Sequence, residues 1–185
     1  MGSGLILLIL IAVAVLWVVA IYNSLVQLRN LVDNAWAQID VQLKRRHDLV
    51  PNLIETVKGY MSHERDTLEA ITKARTEAMT AKGPAQAGPA ESALSGALRG
   101  LMVNVERYPD LKASQNFLAL QEELSSTENK ISFARQAYND SVTRYNTRIQ
   151  TIPANLIAGP AGFTRRELFE LTDEAERAVP KVSFS

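Results

Sequence analysis

Leu5-Ile-Leu-Leu-Ile-Leu-Ile-Ala-Val-Ala-Val-Leu-Trp-Val-Val-Ala-Ile-Tyr22 is eighteen consecutive residues without a charged or strongly polar side chain, and no later stretch matches it. Thirteen positions between Leu5 and Ile21 are Leu, Ile or Val. At about −0.3 to −0.6 kcal/mol each, they favour membrane insertion by roughly −4 to −8 kcal/mol. As a helix the run spans about 27 Å, enough for a hydrocarbon core with little tilt. Leu5, Ile11 and Leu16 are its lipid-facing body, and Trp17 and Tyr22 mark the headgroup-level end. A cleaved signal peptide is the rival reading. The run is longer than the usual apolar region of such peptides, and Met1-Gly-Ser-Gly4 carries no basic residue. The expectation is a retained anchor, with residues 1–4 outside, 5–22 spanning, 23–178 forming the body and 179–185 a tail.

No Lys or Arg precedes Arg29, whereas Lys44, Arg45 and Arg46 follow it. The positive-inside rule therefore places the N-terminus outside and the body in the cytoplasm. All twenty basic and twenty acidic residues lie after the anchor. A neutral body gives no broad pull toward nucleic acid, so no nucleic-acid partner is expected. The chain has no cysteine, which removes disulfides, thiolate catalysis and Cys-based zinc sites.

Beyond the anchor the pattern is helical. Val32, Trp36, Ile39, Leu43, Val50, Ile54, Val57, Met61, Leu68 and Ile71 form a stripe with mostly three- and four-residue steps. Pro51 and Gly59 interrupt it, yet its phase survives both. The reading favours one long, kinked helix over a hairpin. Residues 81–91, rich in Gly, Pro and Ala, read as a loop. A shorter amphipathic helix follows from Ser92 to about Arg107. Tyr108-Pro109-Asp110 is a turn, with Asp110 a candidate N-cap. A long helix then runs from Lys112 to about Gln150, with Phe117, Leu124, Ile131, Tyr138 and Tyr145 recurring at sevens. Thr164-Arg-Arg-Glu167 has the form of a capping box opening a last helix to about Arg177. Val182 and Phe184 fall in an extended tail. The fold class expected is all-α: one N-terminal transmembrane helix followed by an antiparallel four-helix bundle with long helices.

Several ordered motifs then carry a resemblance. They are Tyr22-Asn23-Ser-Leu-Val-Gln-Leu-Arg-Asn30, Asn34-Ala-Trp-Ala-Gln-Ile-Asp40 and Val41-Gln-Leu-Lys-Arg-Arg-His-Asp-Leu-Val-Pro-Asn-Leu53. Further along come Tyr108-Pro-Asp-Leu-Lys-Ala113, Leu120-Gln-Glu-Glu-Leu124, Thr127-Glu-Asn-Lys130 and Tyr138-Asn-Asp140. Together they resemble the LemA protein family over essentially the whole chain. The resemblance implies a broadly bacterial protein with a short external N-terminus, a single-pass helix in the inner (cytoplasmic) membrane and a cytoplasmic four-helix body. It implies no agreed biochemical activity.

No constellation of residues points to chemistry. His47 and His63 lack an acidic residue three positions earlier, and on one straight helix they lie about 160° apart. They read as two partly exposed polar side chains, and no metal or other cofactor is expected. No phosphate cradle or nucleophile elbow is present. Gly96 and Gly100 read as a site of close helix approach. The Lys44-Arg45-Arg46-His47 cluster would lie about 36 Å from the membrane edge on a continuous helix, several Debye lengths away. Pairing with Glu128, or with Glu122 and Glu123, inside the chain or between subunits, is the leading account. Docking of a protein partner is the other. Tyr138-Asn139 and Tyr145-Asn146 look like repeated polar contacts that fix register within the bundle or between copies. The tail, with Val182 and Phe184, either packs back on the bundle or docks on a neighbour.

The sequence thus leads to a non-enzymatic, membrane-anchored scaffold. It is expected to form a homo-oligomer through its bundle and to organise or shape the bilayer. The alternative is a tethered adaptor or signalling subunit that holds another protein through the basic cluster and tail.

Overall fold

A computed structural model describes residues 2–61 and 63–171. Val182, Phe184 and the rest of the tail lie outside the described residues. The order is α1 (Gly2–Lys58), α2 (Arg65–Thr80), α3 (Gly83–Val105), α4 (Pro109–Lys112), α5 (Gln115–Gln150) and α6 (Asn155–Ala158), with no strand among the described residues. The protein is all-α, with an apolar N-terminal helix and a helical bundle, as the periodicity predicts. The described residues divide into two compact units, residues up to 40 with 133–168 and residues 41–132 with 169–171. Helices α1 and α5 contribute to both.

In the first unit, residues 3–20 of α1 are exposed throughout and Ile21 is the first buried position. Ile21, Leu25, Val32 and Ile39 of α1 and Tyr138, Val142, Tyr145 and Ile149 of α5 supply buried side chains. Trp36 and Tyr138 stack with ring centroids 5.4 Å apart.

The second unit is a four-helix bundle. Its core draws on Val50, Leu53 and Val57 of α1, Ile71 of α2, Leu94 and Leu101 of α3, and Phe117 and Leu124 of α5. The expected kinked helix is here a hairpin. Helix α1 passes through Pro51 and ends at Lys58, and Arg75 of α2 donates from Nε to the His47 carbonyl at 2.7 Å. Proline lacks the N–H that would bond the carbonyl four residues earlier, and for Pro51 that residue is His47. The Arg75 guanidinium supplies the missing donor. The stripe keeps phase through Gly59 because both arms of the hairpin face one core, and Met61, in the turn, is itself fully buried.

Two other expectations are corrected. The predicted loop over 81–91 is mostly helix: only Ala81 and Lys82 separate α2 from α3. Gly83 turns the corner with φ +71°, and Pro84 sits in the first turn, where a missing N–H costs nothing. Of the helix predicted from Thr164 to about Arg177, the part up to Leu171 is a strap without regular structure that begins at Phe163, and the remainder lies outside the described residues. Backbone groups of Thr164, Arg166 and Glu167 in it are occupied by side chains of α5, as described below. Asp110 lies in the first turn of α4, whose N-cap is Tyr108.

Candidate functional site

Consecutive residues on a helix point about 100° apart, so Lys44-Arg45-Arg46-His47 fans over the surface of α1. Lys44 is exposed. Arg45 reaches Glu123 of α5 at 2.7 Å, with both side chains partly in water. Arg46 turns inward and is 1% exposed. It donates to Glu91 of α3 and to Glu128 of α5, and to Ser95 Oγ at 2.9 Å. Beside it, His47 Nε2 meets the other Glu91 oxygen at 2.8 Å. Two carboxylates therefore flank one guanidinium, and three helices are tied at one point. Arg46 Nε and Gln42 Oε1, one turn apart on α1, are buried without a hydrogen-bond partner.

Glu91 was not legible as a partner because it falls in the stretch read as a loop. The sequence predicts a partly exposed His47, whereas the side chain is buried against that carboxylate. His63 is exposed. Among the described residues no group of three His, Cys, Asp or Glu side chains is placed to hold a metal ion. Ser95 Oγ accepts from Arg46, and Ser92 Oγ donates to the Gly88 carbonyl at 3.0 Å, so both hydroxyls hold structure.

A groove of about 340 Å³ lies beside this cluster, between α3 and α5. Leu98, Met102, Leu124 and Leu171 form its apolar wall, with Ser95 and Glu128 at its polar end. The strap crosses α3 at Gly88, where a Cβ atom would come within 2.1 Å of the Glu170 carbonyl oxygen. By contrast, a Cβ at Gly96 or Gly100 would meet nothing within 4 Å, which overturns the reading of close helix approach there.

In the first unit the seven-residue polar repeat on α5 binds the strap. Tyr138 donates to the Glu167 carbonyl at 2.8 Å and Tyr145 to the Thr164 carbonyl at 3.0 Å. Asn146 grips Arg166 at both backbone groups, donating to its carbonyl at 2.8 Å and accepting from its N–H at 2.9 Å. Asn139 is half-buried and also engaged. These contacts satisfy in place the groups that a helix opening at Thr164 would have used. Arg166 also pairs with Asp33 at 2.8 Å. Burial pushes the Tyr138 hydroxyl up to about 12, against the opposing pull of Arg166. Tyr145 moves in the same direction, also chiefly through burial. The anchor residues Leu5, Ile11, Leu16, Trp17 and Tyr22 all present exposed side chains.

The model of the LemA family matches residues 35–184. The chain is similar to Protein LemA of Metamycoplasma hominis, 28% identical over 155 residues, covering 82% of this chain and 69% of that protein. It is also similar to the magnetosome protein MamQ of Magnetospirillum gryphiswaldense, 27% identical over 202 residues and covering 91% and 74%. Magnetosome protein MamQ 2 of Paramagnetospirillum magneticum is 25% identical over 178 residues, covering 80% and 64%.

Proposed function

The chain belongs to the LemA family, and from that premise we propose that it is a non-enzymatic scaffold. It is held in the bacterial cytoplasmic membrane by α1, with its N-terminus outside. It self-associates through its helical body to organise or shape the bilayer. The observation that carries this reading is that one uninterrupted helix, α1, contains both an apolar span exposed up to residue 20 and buried core positions of the bundle. Two charges of the basic cluster are directed at acids of the same chain, at Arg45–Glu123 and Arg46–Glu91. None of the relatives above bears an enzyme's name.

Cysteine crosslinking in native membranes tests the proposal, because the chain has no cysteine of its own. A single cysteine at the exposed position Val103 or Phe133 should give a self-crosslinked dimer, and both cysteines on one chain should give a ladder of self-crosslinked chains. Recovery of one foreign protein instead would favour an adaptor. For that second reading the groove beside Leu171 is the feature of interest. Arg46 is buried, so a partner meeting the basic face would touch Lys44 and Arg45 and not Arg46.

A further inference from the structure

We propose that the turn Thr151–Phe163, at the end of α5, is a second membrane contact that lies in the headgroup layer beside the anchor. Within the first unit, Phe163 packs edge-on against Tyr22, with ring centroids 5.6 Å apart. Arg29, two turns further along α1, lies over the same ring at 5.2 Å. Tyr22 ends the apolar span, and burial of α1 by protein begins at Ile21. A span of about 27 Å barely matches a hydrocarbon core of about 30 Å. Whatever packs at Tyr22 therefore sits at the boundary of the bilayer.

The composition of the turn fits that level. Thr151 to Phe163 contains no charged residue, and Ser141 to Arg166 contains four arginines and no acid. Ile152 and Leu156 are 80% and 71% exposed, so two large apolar side chains of the turn are open to meet lipid. Arg144 and Arg148 precede them and Arg165 follows, and long cationic side chains near a bilayer surface are drawn to lipid phosphates. The backbone is largely satisfied within the turn: Ala158 N donates to Ala154 O, Ala161 N to Ile157 O and Phe163 N to Ala158 O. Irregular backbone facing lipid is otherwise confined to the interface, and this turn meets that requirement. Leu156 belongs to α6, a short helix lying in this boundary layer with apolar side chains outward. The inference rests on α1 spanning a bilayer and is independent of whether copies associate.

The test uses the full chain in vesicles of phosphatidylethanolamine and phosphatidylglycerol. Single cysteines replace Leu10, Gln136, Ile152 or Leu156 and carry an environment-sensitive fluorophore. Lipids bearing a spin label near the head or near the middle of the acyl chain act as quenchers. The label at Leu10 should be quenched by the deep lipid, which verifies insertion of the span. Labels at Ile152 and Leu156 should shift to the blue and be quenched most by the shallow lipid. The label at Gln136, about 20 Å earlier along α5, should be quenched by neither. With a label at Asn155, the pair Ile152→Asp and Leu156→Asp should remove the shallow quenching while helix content and the Leu10 signal stay unchanged. With Leu10 quenched, unquenched water-like emission at Ile152 and Leu156 would overturn the proposal. Blue-shifted emission that no lipid quenches would do so as well, because it would place the turn against protein.

Discussion

At Arg46 one side chain joins three helices. Its two carboxylate partners differ: Glu91 is buried with it, whereas Glu128 keeps 43% of its side chain in water. Removing one member of a buried ion pair strands the other, typically at a cost of about 3–5 kcal/mol. Glu91→Ala should therefore lower unfolding free energy by about 3 kcal/mol or more, with Glu128 still available to Arg46. Glu123→Ala, which breaks only the exposed pair with Arg45, should change it by less than about 1 kcal/mol. Urea denaturation of both variants checks the contrast. Tyr138 gives a pH dependence with a defined sign. Its neutral form is favoured in the folded chain, so its contribution is complete below the ordinary tyrosine value of 10.0 and is lost as pH rises toward about 12. Alkaline melts should show wild type losing stability between those values. Tyr138→Phe should begin about 1 kcal/mol less stable, for the lost bond to Glu167, and decline less over that range.

Among the elements, periodicity located buried faces well and chain direction poorly. Phe117, Leu124, Ile131, Tyr138 and Tyr145, read at sevens, are all buried, and so are most of the stripe positions from Val32 to Ile71. The same stripe hid a reversal at Gly59, since a spacing of three or four records which side is apolar and is blind to a turn that conserves phase. Composition misled over 81–91, where Pro84 occupies a first turn that tolerates it and the alanines favour helix. It misled again at Thr164, where a sound capping box lost to side-chain partners on α5 that no local pattern reveals. Glu91 and the burial of His47 were missed for the first of these reasons. Two predictions belong here. Arg75→Ala should cost about 1 kcal/mol because Pro51 leaves the His47 carbonyl dependent on it. In a Pro51→Ala background that cost should shrink, which a double-mutant cycle would read directly. In α3, Gly96→Ala and Gly100→Ala should each raise stability by about 0.5–1 kcal/mol, since helix interiors disfavour glycine and the added methyl meets open space. Thermal melts should show the gain, and a loss would mean those faces are occupied.

For the molecule as a whole, family, helical fold and apolar span agree on a membrane-associated helical protein. Several polar side chains in the body hold its own segments together: α1 to α3 and α5 through Arg46, and α5 to the strap through Tyr138, Tyr145 and Asn146. In the proposed function, surface contact between copies, confined to two dimensions by the anchor, is the basis of the activity. The most direct test is the molar mass of the full chain in mild detergent and in lipid nanodiscs, measured by light scattering beside a chain beginning at Asn23. The account predicts a discrete assembly of several copies that persists, if less tightly, without the anchor. Monomers in detergent, in lipid and in the anchorless chain would contradict it.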